Sequence, residues 1–158
     1  MDIFFTRKYK YTVYDSLENV RSEIKGIINR KWYDFSKNIT GSFKDENTFV
    51  ITHKWSFAII RWMETDPAYI KGMLKEQENT TIIETTVRPN SIFVICFYLM
   101  ILFFILSIFG IDIFEGSSDM PFLMFFPLFS FIMLLLIKAY TLGLRNRFER
   151  LLQLMPEA

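Results

Sequence analysis

The chain has 158 residues, of which 51% are hydrophobic, and its 18 Lys and Arg residues nearly balance 17 Asp and Glu residues. This length allows one modest domain and little else, and a formal net charge of +1 argues against a nucleic-acid partner. A single cysteine, Cys96, excludes an intrachain disulfide, and a single histidine, His53, argues against a zinc site.

The chain opens with a strand pattern and an amphipathic helix. Polar and apolar residues alternate over residues 8–14, which predicts a half-buried strand. Asp15, with Glu18 three residues later, predicts a helix N-cap closed by a capping box. The helix that follows carries an apolar stripe at helical spacing, formed by Leu17, Val20, Ile24, Ile27 and Ile28.

Further strand candidates, separated by turn residues, complete the first 90 residues. They cover residues 38–44, 48–55, 57–63, 69–76 and 80–88. The order of a strand, a helix and an antiparallel meander predicts an α+β domain over residues 1–90. Pro89 and Asn90 then lead directly into a strongly apolar region.

Two uncharged segments predict a transmembrane hairpin over residues 91–140. Residues 91–109 include 14 Ile, Leu, Val or Phe residues among 19, and a helix of this length spans about 28 Å of a hydrocarbon layer of about 30 Å. Residues 120–137 form a second uncharged run, and Lys138 can extend its amine to the interface. We therefore expect spans at about 91–110 and 120–140, joined by a short loop.

The distribution of charge predicts the orientation of this hairpin. The loop between the spans carries Asp112, Glu115 and Asp119 and no basic residue. Five basic residues flank the spans on the other side, at the expected membrane interface: Arg88, Lys138, Arg145, Arg147 and Arg150. By the positive-inside rule both termini are expected to be cytoplasmic, in a bacterial inner membrane, with membrane lipids as partners. Residues 1–14 lack the apolar core of a cleavable signal peptide.

The C-terminal residues 141–158 predict an amphipathic helix. Its apolar stripe consists of Leu144, Phe148, Leu151, Leu152 and Met155. Such a helix could lie among lipid headgroups, dock on the soluble domain, extend straight from the second span, or bind a partner.

Several short segments resemble those of small bacterial two-pass membrane proteins of unassigned function. They are Gly41-Ser42-Phe43, Phe49-Val50-Ile51, Ile59-Ile60-Arg61, Pro67, Ile70-Lys71-Gly72, Thr81-Ile82-Ile83 and Arg88-Pro89-Asn90. The resemblance implies a cytoplasmic α+β domain followed by a transmembrane hairpin, and it implies no catalytic residue. The chain departs from that pattern at Asn79-Thr80, where a glycine would be expected before the last strand.

The search for chemistry leads us to expect no catalytic residues, no cofactor and no metal site. His53 shares its strand face with Phe49, Ile51 and Trp55, which favours a packed histidine over a catalytic base. The pair Asp45-Glu46 falls in a predicted turn, and the glycines lack the spacing of a phosphate-binding loop. Cys96 lies within the first span, where an apolar environment disfavours a thiolate.

The three tryptophans, Trp32, Trp55 and Trp62, all fall in the first 90 residues. They are expected either to fill a small core or to form an exposed surface, for which Arg61 and Trp62 are the candidate partner patch.

Three functional hypotheses remain open. The first is a membrane-anchored, non-enzymatic adaptor, assembly factor or accessory subunit with a protein partner or a second copy of itself. The second is a small-molecule or lipid-sensing domain that uses the aromatic interior between helix and sheet. The third is a pore-forming or holin-like hairpin.

Overall fold

The computed structural model describes residues 5–29, 38–53, 66–78, 80–109 and 120–154. The chain forms two compact units. The first comprises Met1–Asn90 together with Tyr140–Ala158, and the second comprises Ser91–Ala139. The first unit has the predicted α+β class.

The first unit is built on an antiparallel sheet. Its strands among the described residues are β1 (Arg7–Val13), β2 (Ile39–Phe43), β3 (Thr48–His53), β4 (Ala68–Gln77) and β5 (Thr80–Pro89). Their order across the sheet is β1-β5-β4-β3-β2. Strands β2 to β5 form an antiparallel meander, as predicted, but β3 pairs directly with β4. Strand β1 adds to the sheet by pairing with β5. The strand expected over residues 57–63 lies outside the described residues.

Helix α1 (Leu17–Ile28) covers one face of the sheet, which we call the inner face. The predicted stripe is confirmed, since Val20, Ile24, Ile27 and Ile28 are buried and Leu17 packs at the margin of the core. The predicted N-cap is wrong by one residue. Ser16, in extended conformation, accepts a hydrogen bond from the Asn19 amide at 3.3 Å.

Asp15 supports this helix start in another way. Its Oδ1 accepts hydrogen bonds from the Ser16 amide at 2.7 Å and from the Asn19 side chain at 2.8 Å. The predicted capping box with Glu18 does not fit the observed cap, because the residue three positions after Ser16 is Asn19. Both Asp and Ser are good caps, and sequence spacing alone does not distinguish adjacent candidates.

The second unit contains helix α2 (Ser91–Ile108) and the first part of helix α3 (Met120–Leu151). Both helices are long and apolar enough to cross a membrane, with mean hydropathies of 2.8 and 1.9 in their most apolar stretches. Many of their apolar side chains are exposed, for example Ile95, Leu102, Leu128 and Phe131. An 18-residue α2 is about 27 Å long, close to a hydrocarbon layer of about 30 Å.

Helix α3 is longer than a bilayer requires. Its 32 residues correspond to about 48 Å, and its last turns, from Tyr140 onward, belong to the first unit. Leu144, Phe148 and Leu152 are buried in the core of that unit. The C-terminal segment thus continues the second apolar helix without a break, and its apolar stripe docks on the sheet. Met155 lies outside the described residues.

Candidate functional site

The core of the first unit is completed by the end of α3 on the inner face. The ring of Phe148 packs against the rings of Tyr11 and Phe49, with centroid distances of 6.3 Å and 5.9 Å. Phe49 in turn lies over Gly72, where an added Cβ would overlap its ring. The described aromatic side chains therefore fill the space between the sheet and the helices.

A polar cluster beside this core joins β1 to α3. It consists of Tyr9, Tyr11, Arg145 and Glu149, and we call it the β1–α3 cluster. The Tyr11 hydroxyl donates to Glu149 Oε1 at 2.8 Å, and Arg145 Nε donates to the same oxygen at 2.7 Å. Arg145 also donates to the Tyr9 hydroxyl at 3.2 Å, and its guanidinium lies 4.0 Å from the Tyr9 ring centroid.

Within this cluster, the electrostatics keep Tyr11 protonated. Burial, and then the hydrogen bond to Glu149, raise the pKa of Tyr11 well above its usual value, so the phenol remains a hydrogen-bond donor. The Arg145 and Glu149 side chains are only 21% and 15% exposed, which limits solvent screening of their ion pair. The cluster is suited to holding α3 on the sheet.

His53 makes a second connection between the sheet and α3. It is 6% exposed on the inner face, on the side of β3 shared with Phe49 and Ile51 as expected. Its Nε2 donates to the Tyr140 carbonyl oxygen at 3.0 Å, and the two rings meet edge to face. Burial lowers the pKa of His53, partly opposed by this hydrogen bond. A neutral imidazole packed in the core is the result.

The opposite face of the sheet, which we call the open face, is strongly cationic. The strand register places five basic side chains on it: Lys8, Lys10, Lys71, Lys75 and Arg88. Glu84 is the one carboxylate on this face within the described strands, and it accepts a hydrogen bond from Lys75 at 2.7 Å. A chain with almost no net charge therefore concentrates positive charge on one surface of its sheet.

The predicted interface residues occupy three different settings. Arg88 stacks over the Tyr69 ring on the open face, with 4.5 Å between guanidinium and centroid. Lys138, Arg147 and Arg150 are exposed on α3. Arg145 instead belongs to the β1–α3 cluster. Their role at a membrane interface stays a prediction, and the candidate patch of Arg61 and Trp62 lies outside the described residues.

The remaining sequence candidates belong to different elements of the chain. Asp45 and Glu46 are exposed in the turn between β2 and β3, and Cys96 is half-buried in α2. Within the part of the chain that the structure describes, no three His, Cys, Asp or Glu residues are grouped closely enough to hold a metal ion. A surface cavity of about 330 Å³ is lined by Asp15, Ser16, Leu17, Glu76, Glu78 and Thr80.

Sequence reasoning missed the β1–α3 cluster and the open face as sites. The alternation in β1 already separated Tyr9 and Tyr11 from Lys8 and Lys10. The residues that contact these β1 side chains lie on β5 and α3, more than 60 residues away along the chain. Only strand pairing and helix docking bring them together.

No protein-family model, curated protein or solved structure matches the chain. The resemblance to small bacterial two-pass membrane proteins therefore stays a prediction.

Proposed function

We propose that the protein is a membrane-anchored, non-enzymatic adaptor or accessory subunit whose α+β unit lies on the cytoplasmic side of a cell membrane. The observation that carries this proposal is the dual role of α3. Its first part is apolar enough to span a bilayer, and its last turns supply Leu144, Phe148 and Leu152 to the core of the first unit.

The connection at the other end of the hairpin is equally short. Strand β5 ends at Pro89 and α2 begins at Ser91, so Asn90 alone separates the sheet from the first apolar helix. The Asn90 amide donates to the Pro67 carbonyl at 2.9 Å, and its side chain donates to the Asp66 carbonyl at 3.0 Å. A domain joined to two membrane helices without a flexible linker is suited to holding a partner at the membrane.

The proposed cytoplasmic location of this unit rests on charge. The loop between the helices contains Asp112, Glu115 and Asp119, whereas Arg88 and the basic residues of α3 lie at the opposite ends of the hairpin. Both termini are then cytoplasmic.

Purification of the tagged full chain from its native membranes, in mild detergent, tests the adaptor function. Deleting the hairpin is unsuitable because α3 contributes to the soluble core, so point variants are needed. We expect one protein to co-purify stoichiometrically with the wild type and with the exposed control Asn146→Asp, and to be lost with Phe148→Asp. Absence of such a protein from the wild type, or its retention by Phe148→Asp with an unfolded first unit, would contradict the proposal.

One observation favours the second hypothesis, a lipid-sensing domain. That observation is the cationic open face. The aromatic interior gives no such support, because the described rings in the interior pack against one another.

A further inference from the structure

We propose that the open face of the sheet binds anionic lipid headgroups through Lys8, Lys71 and Arg88. The inference rests on the membrane-anchored arrangement proposed above. It concerns a surface that is separate from the aromatic core and from the β1–α3 cluster.

The strand register brings these three cations together around Thr86. Lys8 on β1 and Lys71 on β4 both lie directly opposite Thr86, on either side of β5. Arg88 follows Thr86 by two residues and points to the same face. Neighbouring strands are about 4.8 Å apart, so the two lysine Cα atoms are separated by about 10 Å. Phosphate groups of adjacent lipids can be contacted across such a spacing.

Within the described strands, no carboxylate lies in the row that contains Lys8, Thr86 and Lys71. Glu84, the one carboxylate on the open face of the described strands, lies in the next row, and it accepts a hydrogen bond from Lys75 of the row beyond. Lys8 and Lys71 are exposed, and neither forms an ion pair with a described residue. The Arg88 guanidinium carbon lies 4.5 Å from the Tyr69 ring centroid. The Arg88 side chain is also exposed, so its N–H groups can be reached by oxygen acceptors.

The charge calls for an anionic occupant, and the chain itself favours a lipid. Helix α2 begins three residues after Arg88, so a bilayer crossed by α2 supplies headgroups at high local concentration. Basic residues next to a transmembrane helix are attracted to anionic lipids in this way. A nucleic acid is a weaker fit because a net charge of +1 provides little long-range attraction.

The test compares lysine reactivity in the full chain inserted into nanodiscs of phosphatidylcholine alone or with added phosphatidylglycerol. A neutral amine-acetylating reagent and mass spectrometry give the rate at each lysine. We expect Lys8 and Lys71 to react about fivefold more slowly with phosphatidylglycerol present. Lys44, exposed in the turn between β2 and β3, is the internal reference and should not change. Salt at about 1 M, where the Debye length is about 3 Å, should remove the protection.

A second measurement uses variants. Native mass spectrometry should show fewer retained phosphatidylglycerol molecules for Lys8→Gln, Lys71→Gln and Arg88→Gln combined than for the wild type or Lys44→Gln. Equal rates in both discs, or equal protection of Lys44, would overturn the proposal. Polyglutamate or an RNA oligonucleotide can be added to the phosphatidylcholine discs as a soluble polyanion. If Lys8 and Lys71 are protected only by such a polyanion and not by phosphatidylglycerol, the proposal is also overturned. Failure of the chain to insert into discs would instead contradict the proposed membrane anchoring.

Discussion

Individual residues of the β1–α3 cluster determine how firmly α3 is held on the sheet. Glu149 Oε1 accepts hydrogen bonds from both Tyr11 and Arg145, so a charged acceptor serves two donors. Removing the shared acceptor would leave the hydroxyl of the buried Tyr11 and the Arg145 guanidinium unsatisfied, which costs more than the net gain of a single hydrogen bond. Tyr9 and Tyr11 therefore do more than fill the inner face of β1, because their hydroxyls hydrogen-bond to α3.

Replacing Glu149 by Gln should destabilise the first unit. A neutral amide cannot balance the positive charge of Arg145, so we expect the free energy of unfolding to fall. The loss should be only about 1–2 kcal/mol, because partial exposure screens the ion pair. Chemical denaturation of the detergent-solubilised full chain, followed by tryptophan fluorescence, would measure the change. The exposed Asn146→Ala on the same helix should change stability by less than about 0.5 kcal/mol. Equal stability of Glu149→Gln and wild type would show that the cluster contributes nothing.

His53 should make the first unit less stable in acid. Burial lowers the pKa of His53 below its ordinary value of 6.5, so below that pH the unfolded chain binds a proton that the folded chain does not. Stability is therefore complete above pH 6.5 and declines as the pH falls toward the folded-state pKa. Thermal unfolding between about pH 7.5 and 5.5 should show a smaller pH dependence for His53→Gln than for the wild type. Identical slopes would exclude His53 as the source.

At the level of elements, α1 and the end of α3 share the inner face, and each contributes a stripe of apolar side chains to one core. The stripe of α1 was readable from sequence because its apolar spacing and the adjacent cap residues are local signals. The position of the α3 stripe was not, since an amphipathic helix fits a membrane surface, a partner or a sheet equally well.

A charge in the α1 stripe should unfold the first unit. Ile24 is fully buried, and Ile24→Asp places an unpaired carboxylate in the core, at an expected cost of several kcal/mol. Circular dichroism melting of the full chain would detect the loss of sheet structure at a lower temperature. Ser22→Asp introduces the same residue on the exposed side of the helix and should melt like the wild type. An unchanged melting curve for Ile24→Asp would mean that α1 does not pack as described.

At the level of the whole molecule, the proposed topology places the inter-helix loop outside the cell and the sheet inside. A cysteine at Ser117 in a Cys96→Ser background should react with a membrane-impermeant thiol reagent added to intact cells, whereas a cysteine at Asn79 should react only after the membrane is permeabilised. The positive-inside rule is the physical reason. The reverse labelling pattern would invert the orientation, and labelling of both positions in intact cells would contradict the hairpin.

The sequence by itself determined the features that depend on local patterns. Uncharged runs revealed both apolar helices, and alternation or helical spacing revealed α1 and strands β1 to β5 to within a few residues. These signals are strong because a bilayer-length helix or an amphipathic element must bury a contiguous apolar surface. These local patterns could not show that the N-cap is Ser16 and not Asp15. The exact cap position depends on the backbone conformation at the helix start.

The tertiary structure decided which distant residues meet. Pairing of β1 with β5 placed Lys8 opposite Thr86, and docking of α3 brought Glu149 to Tyr11. Each of these contacts joins residues more than 60 positions apart, so local propensity says nothing about it. They form because α1 and the end of α3 together cover the apolar inner face of the sheet. The lysines of β1 and β4 lie on the opposite face and are exposed.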